Sequence, residues 1–126
     1  MPPVLWVCLG GAVGSGARFL LASWIARTPP QAFPIATLLV NGVGSFLLAF
    51  LMAVSLETAA VSPTLRTAVA AGVLGGFTTY STFSYETFVS LQHGDWGTAL
   101  ANVLATVVGC LAATACGFAA GRWLAA

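Results

Sequence analysis

The chain has 126 residues, of which 59% are hydrophobic and only 6% are charged, with a formal net charge of +1. Soluble domains carry about 25% charged residues, so this composition excludes a soluble fold and predicts an all-α integral membrane protein. The expected surroundings are a lipid bilayer, and no nucleic acid is expected as a partner.

Four apolar stretches are long enough to cross a membrane, because about 30 Å of hydrocarbon takes about 20 helical residues. They cover residues 4–26, 33–56, 65–91 and 96–124. Short loops join them, so we predict a single four-helix transmembrane domain over residues 1–126. A chain that lies almost wholly within the bilayer is not expected to be an enzyme acting on an aqueous substrate.

The first span contains Arg18, and an ionisable residue within a span is a functional candidate. It could attract anions at the vestibule of a pore, anchor its helix, or pair across an interface. Alternating spans put Arg18 and Arg27 on one side of the membrane and Arg66 and Arg122 on the other. Because an excess of basic residues normally selects the cytoplasmic side, this balance predicts insertion in both orientations and an antiparallel dual-topology homodimer.

Small residues recur four positions apart in three spans. Pairs of the type Gly-x-x-x-Gly begin at Gly10, Gly72 and Gly117. Each pair leaves one helix face without side chains, which favours close helix packing. The motifs predict tight packing without identifying the partner helices.

Polar residues form a stripe with a spacing of four in the second span and another in the fourth. The stripes consist of Thr37, Asn41 and Ser45, and of Asn102, Thr106, Cys110 and Thr114. Residues spaced in this way share one helix face, where hydrogen bonding between helices is the ordinary explanation. The alternative is an ion pathway, and neutral donors with almost no carboxylates suit a small anion better than a cation.

The third span is interrupted by Gly75-Gly76 and by five consecutive hydroxyl residues, 78–82. Non-helical backbone at membrane depth survives only where it is buried in protein or lines a watery path. We expect the two glycines to ease the departure from helical geometry and to leave carbonyls suited to a hard cation. A kinked packing helix without an ion is the alternative. Glu86, one turn beyond Phe83, could pair with a donor or act as a structural hydrogen-bond acceptor.

Three motifs, in this order along the chain, resemble those of the Fluc (CrcB) fluoride channels of bacteria. They are Gly10-Gly11-Ala12-Val13-Gly14 with Arg18-Phe19, Thr37-Leu38-Leu39-Val40-Asn41 with Gly44-Ser45-Phe46, and residues 75–84 with Glu86. The resemblance implies a fluoride-selective channel that exports fluoride passively across the bacterial inner (plasma) membrane. It also implies an antiparallel dimer with two pores, each lined by both subunits.

The same resemblance implies roles for individual residues. Asn41 and Phe83 match pore-lining positions, and Gly75 and Thr78 match positions whose backbone carbonyls hold a structural sodium ion at the dimer interface. Arg18 and Glu86 match the motifs without a firm role. The candidate pore and fluoride-binding residues are Thr37, Asn41, Tyr80, Ser81, Thr82, Phe83, Thr106 and Thr114.

Two residues depart from the family pattern. Tyr80 stands where the family typically has a second Phe, and Asn102 stands where many members have Tyr. Neither change removes hydrogen-bond donors, so fluoride permeation remains expected. The alternative function is a small dual-topology multidrug exporter, which would need an acidic residue in its first span, where this chain has Arg18. A non-transporting scaffold would not need the polar stripes.

Overall fold

The computed structural model describes residues 2–29 and 33–126, and these residues form helices and no strands. The predicted all-α fold class is therefore confirmed. The elements are α1 Pro3–Ile25, α2 Ile35–Glu57, α3 Pro63–Thr67, a π-helical segment Ala68–Leu74, α4 Gly75–Phe77, α5 Tyr80–Gln92 and α6 Trp96–Ala125. Residues 30–32, in the first predicted loop, lie outside the described residues.

Within the described part of the chain, α1, α2 and α6 are long and apolar enough to cross a membrane. The third predicted span is divided into a first half, residues 63–77, and a second half, residues 80–92. Large apolar side chains such as Phe19 and Trp24 are mostly exposed, as expected for an integral membrane protein whose outer surface contacts lipid.

Helix ends follow from local sequence. Pro63 begins α3, where its missing N–H removes no helical hydrogen bond. Gly94 has a φ of 75° and allows the tight turn between α5 and α6. The Thr98 backbone N–H donates to Asp95 Oδ1 at 3.0 Å and caps α6. This hydrogen bond lowers the pKa of the exposed Asp95 carboxyl.

The first half of the third span packs along α1 through backbone-to-backbone contact. A Cβ atom added at Gly72 would lie 3.1 Å from Gly10 Cα, and one added at Gly14 would overlap the carbonyl of Val73. Gly76 is equally close to the backbone of α1. The contacts advance in the same direction along both segments, so the two run parallel. Two of the three predicted glycine motifs therefore face each other within one chain.

The third glycine motif packs α6 against α2. A Cβ atom at Gly117 would overlap the carbonyl oxygen of Phe46, and one at Gly121 would lie 2.7 Å from the carbonyl oxygen of Phe50. These two helices are also parallel, and α2 contributes the buried core residues Val40, Ala49 and Ala53. Close approach through small residues is the usual mode of helix association in membranes.

The arginines divide between the two ends of the bundle as the alternating spans predict. Arg18 lies near the end of α1 that Arg27 follows, and Arg66 lies near the opposite end, where the third span begins. At that opposite end, Arg122 Nε is 3.5 Å from Glu57 Oε1 and joins the last turns of α6 and α2. Each end of the bundle thus carries two arginines.

Candidate functional site

The third span is broken at Thr78 and Thr79, where both residues are extended: Thr78 has a ψ of 160° and Thr79 a φ of −151°. The prediction that Gly75 and Gly76 lie in the break is wrong. Gly75 has helical angles, φ −63° and ψ −38°, and both glycines belong to α4. The absence of a side chain at Gly76 serves the close contact with α1 rather than a departure from helical geometry.

Asn41 holds the backbone of the break with both ends of its amide. The Thr79 N–H donates to Asn41 Oδ1 at 2.8 Å, and Asn41 Nδ2 donates to the Thr79 carbonyl oxygen at 2.9 Å. Because lipid cannot hydrogen-bond freed backbone groups, they must find partners inside the protein. Asn41 supplies them across 38 residues of sequence.

Thr79 also caps α5. Its hydroxyl accepts from the Thr82 N–H at 3.2 Å and donates to Thr82 Oγ1 at 3.0 Å. A threonine oxygen in this position satisfies one of the free N–H groups that begin every helix. Thr79 is 8% exposed. Its backbone bonds to Asn41 and its side chain caps α5, so both contribute to fixing the break.

Thr78 ends the first half of the span. Its N–H and its hydroxyl both donate to the Leu74 carbonyl oxygen, at 3.0 Å and 2.9 Å. Its methyl group fills the space that a Cβ atom at Gly44 would occupy. The N–H groups four residues further on, those of Thr79 and Thr82, donate to Asn41 Oδ1 and Thr79 Oγ1, so the carbonyl oxygens of Gly75 and Thr78 do not receive their usual helical hydrogen bonds.

An open groove of about 530 Å³ runs between α2, the broken span and α6. Its lining brings together the following residues predicted as pore or sodium sites: Asn41, Gly75, Thr78, Tyr80, Phe83, Thr106 and Thr114. Ser45 and Cys110 continue the two polar stripes along it. No Asp or Glu is present among the described residues that line this groove, so it presents neutral donors and apolar surface.

A second cavity of about 260 Å³ lies between α1, α2 and the start of α5. Arg18, Thr37 and Thr82 line it, and Thr79 lines both this cavity and the groove. The predicted residues are thus divided between two spaces on either side of the break. Ser81 lines neither; it is exposed on α5, with its hydroxyl 3.4 Å from that of Thr79.

Two aromatic rings meet at the groove. The ring centroids of Tyr80 and Phe83 are 5.7 Å apart, and their planes are inclined at 56°. Phe83 is 8% exposed, whereas Tyr80 is 78% exposed. The edges of aromatic rings are positively polarised. A role for the Phe83 edge toward an anion stays a prediction.

Glu86 accepts a hydrogen bond from Thr37, whose Oγ1 lies 2.9 Å from Glu86 Oε1. The other carboxylate oxygen of Glu86 is buried and has no hydrogen-bond partner among the described residues. The arrangement matches the structural-acceptor role that the sequence left open. It also commits the Thr37 hydroxyl to an internal bond.

Asn102 lies inside the chain. It is 1% exposed, and its Nδ2 donates to Thr87 Oγ1 at 2.9 Å. Thr106 Oγ1 donates to Asn102 Oδ1 at 3.4 Å. Asn102 therefore connects α6 to α5, while Thr106, Cys110 and Thr114 line the groove.

Three residues that shape this site have no specific role assigned from the sequence: Gly44, Thr79 and Thr87. Gly44 is part of a motif, but only the position of Thr78 explains why it lacks a side chain. Thr79 is one hydroxyl residue in a run of five, and Thr87 is one of two threonines on α5. No pattern in the sequence distinguishes either from its neighbours.

Comparison with known proteins identifies the family. The model of a family described as CrcB-like protein, Camphor Resistance (CrcB), matches residues 5–118. The chain belongs to the CrcB family. Among its relatives, a protein of Anaeromyxobacter dehalogenans is 54% identical over 125 residues, which are 99% of both chains. It bears the name fluoride-specific ion channel FluC.

Two further relatives bear the same name. The Geobacter metallireducens protein is 46% identical over 124 residues, which are 98% of this chain and 100% of the relative. The Sorangium cellulosum protein is 43% identical over 121 residues, or 96% and 95% of the two chains. The resemblance that the motifs indicated is therefore confirmed over nearly the full CrcB chain.

Proposed function

We propose that this CrcB protein is a fluoride-selective channel, not an enzyme, and that it passively exports fluoride across the bacterial inner membrane. The observation that carries the proposal is the groove beside the break in the third span, which is lined by hydroxyls, an amide and aromatic rings. It occurs in a chain that is 54% identical to a relative named fluoride-specific ion channel.

The chemistry of the groove suits a small anion. Fluoride gives up its water only where closely spaced donors replace it, and these donors must still bind weakly enough to release the ion. The hydroxyl of Thr114 and the second N–H of the Asn41 amide, whose first N–H donates to the Thr79 carbonyl oxygen, offer donors without a fixed charge. A larger halide such as chloride meets the same donors held too close together.

An antiparallel dual-topology homodimer would complete the pathway. The groove of one chain is open along its length, and Gly75 and Tyr80 on its border are exposed. A second copy inserted in the opposite orientation would close it, and two-fold symmetry would produce two pores. The equal distribution of arginines between the two ends supports insertion in both orientations.

A structural sodium ion fits the dimer interface. The carbonyl oxygens of Gly75 and Thr78 do not receive the helical hydrogen bonds of Thr79 and Thr82, and carbonyl oxygens are suitable ligands for a hard cation. Two such oxygens from each subunit would surround an ion on the two-fold axis. Replacing sodium by a large organic cation during purification should lower the dimer fraction; an unchanged fraction would exclude this role.

The multidrug-exporter alternative has no support in this chain. Such exporters exchange protons through an acidic residue in the first span, and α1 contains Arg18 and neither Asp nor Glu. Relatives that cover nearly the full chain are named as channels.

The decisive experiment measures fluoride efflux from liposomes that contain the purified protein, with a potassium ionophore to discharge the membrane potential. We expect rapid fluoride efflux that requires the ionophore, and much slower chloride efflux under the same gradient. Proton-coupled drug uptake without fluoride efflux would contradict the proposal.

Variants test the pore assignment within the same assay. Asn41→Leu and Phe83→Ala should each lower fluoride efflux by about 100-fold, because misplaced groups can cost that much in rate. Ser55→Ala is the control, since within residues 2–29 and 33–126 the Ser55 hydroxyl bonds only to the Leu51 carbonyl oxygen of its own helix. Undiminished efflux in the two pore variants would contradict the assignment but not the function.

A further inference from the structure

Helix α5 carries Tyr80 and Phe83 into the groove but has little apolar packing of its own. Phe83 is its buried residue, while Tyr80, Tyr85 and Phe88 are exposed. Its neighbours within the described chain are α2 and α6. Packing of side chains normally fixes the rotation of a helix, and within a single chain that constraint is small.

In place of apolar packing, hydrogen bonds from three buried or half-buried side chains of α2 and α6 hold α5. Asn41 of α2 holds the break just before α5, and Thr37 of α2 bonds to Glu86. The third bond, from Asn102 Nδ2 to Thr87 Oγ1 at 2.9 Å, is the side-chain hydrogen bond from α6 to α5. Residues of α2 hold α5 and the break before it at two points on one side. The single bond from α6, on the other side, therefore limits how far α5 can turn about its axis.

The bond to Thr87 reaches the backbone of Phe83 directly. The Thr87 hydroxyl donates to the Phe83 carbonyl oxygen at 2.8 Å while it accepts from Asn102. Because the single Thr87 hydroxyl proton is committed to Phe83, the Asn102 amide must present Nδ2 to Thr87, and its Oδ1 accepts from Thr106 Oγ1 at 3.4 Å. One hydroxyl therefore links α6 to the residue at which the aromatic ring departs from α5.

We propose that Asn102 and Thr87 are positioning residues that fix the rotation of α5 and thereby the direction in which the Phe83 ring meets the groove. The inference rests on the proposed fluoride-channel function. A helix turns as one body, so a constraint at Thr87 is transmitted to Phe83 one turn away. Selectivity for a small ion depends on donors and rings held in place by a supporting set of contacts.

A purely structural role for this bond would give a different result. If the bond only joined two helices, its loss would lower stability and leave the ratio of fluoride to chloride permeability unchanged. If it positions Phe83, its loss changes that ratio even in protein that remains folded. The permeability ratio of folded protein therefore distinguishes the two roles.

The test compares Thr87→Val, which keeps the shape but removes the hydroxyl, with Thr87→Ser, which keeps the hydroxyl. Thr67→Val is the matched control, because the exposed Thr67 hydroxyl makes the same bond to a preceding carbonyl oxygen and has no partner on another helix among the described residues. Fluoride and chloride efflux are measured in liposomes for each folded variant. A second variant, Asn102→Ala, leaves the Thr87–Phe83 bond in place. The Thr106 hydroxyl loses its acceptor at Asn102 Oδ1 but can turn to a carbonyl oxygen of its own helix.

We expect Thr87→Val and Asn102→Ala to lower fluoride efflux about tenfold or more, because misplacement of about 1 Å has large effects on rate, and to lower the fluoride-to-chloride ratio. Thr87→Ser and Thr67→Val should stay near the wild type. A wild-type ratio in folded Thr87→Val, or in Asn102→Ala where Thr87→Val does not fold, would overturn the inference alone. Absence of fluoride efflux from the wild type would overturn the proposed function, and the inference with it.

Discussion

The two halves of the third span are held in opposite ways. The first half, residues 63–77, lies against α1 through glycine contacts in which backbone meets backbone. The second half, residues 80–92, is held by side-chain hydrogen bonds from α2 and α6. Both halves belong to one predicted span, and the groove opens where they meet.

This difference shows how a broken membrane helix combines a fixed part with an adjustable one. Backbone-to-backbone packing allows no added atom without a shift of a whole helix. Single hydrogen bonds in membranes contribute only about 0.6 kcal/mol on average, so their main effect here is on orientation. Substitutions in the first half should therefore affect folding, and those in the second half should affect permeation.

The largest expected effect is on the first half. Gly14→Ala would place a methyl group on the carbonyl of Val73, and overpacking of this kind costs about 1–3 kcal/mol. We expect a strong loss of folded protein, measured as the monodisperse fraction after solubilisation and as the midpoint of thermal aggregation. Gly16→Ala is the control, since a Cβ atom there meets nothing within 4 Å. Equal yields of the two variants would contradict the packing role.

A smaller effect is expected at the break itself. Gly44→Ala would overlap the Thr78 methyl group, shift the break, and lower fluoride efflux by about tenfold through misplacement of the groups that follow. Thr78→Ser removes that methyl group but keeps the hydroxyl bond to Leu74, so the double variant should recover much of the efflux. Gly42→Ala is the control, because a Cβ atom there is also free of contacts.

Recovery of fluoride efflux in the double variant tests whether the contact between Gly44 and Thr78 sets the position of the break. If Gly44→Ala with Thr78→Ser remained as impaired as Gly44→Ala alone, the contact between these two residues would not set the position of the break. If Gly42→Ala were equally impaired, the effect would belong to α2 in general.

The smallest effect is expected at the end of the bundle. Arg122 and Glu57 form an ion pair whose side chains are 63% and 48% exposed. Exposed pairs typically contribute about 0.2–1 kcal/mol. Arg122→Gln should therefore lower the thermal midpoint only slightly, less at high salt, and should leave fluoride efflux near the wild type. A large loss of efflux would show that this end of the bundle belongs to the pathway.

Much of the fold could be predicted because hydrophobic length and composition determine which segments enter the bilayer. Four spans, a break in the third and close packing at the glycine motifs all follow from residue types and spacings. The break was expected to include Gly75, Gly76 and Thr78, and it lies at Thr78 and Thr79 while both glycines are helical. A glycine suits both a departure from the helix and a close helix contact, so the sequence cannot distinguish the two uses.

The site was predicted less completely because spacing places a side chain on a helix face but does not identify what lies opposite. Asn41 and Thr114 were expected at the pathway and line the groove, although their contact with fluoride stays a prediction. Thr37 was expected beside them and bonds to Glu86 instead. Only the positions of neighbouring helices distinguish these cases.

The sequence by itself determined that this chain lies in a membrane, which segments form its helices, and that hydroxyl residues interrupt the third span. These properties depend on the solvent preference of each residue and on local backbone geometry. The tertiary structure alone decided which glycines meet, that Asn41 holds the break from 38 residues away, and that Asn102 reaches Phe83 through Thr87. Such pairings depend on helix packing in three dimensions, which a one-dimensional spacing cannot specify.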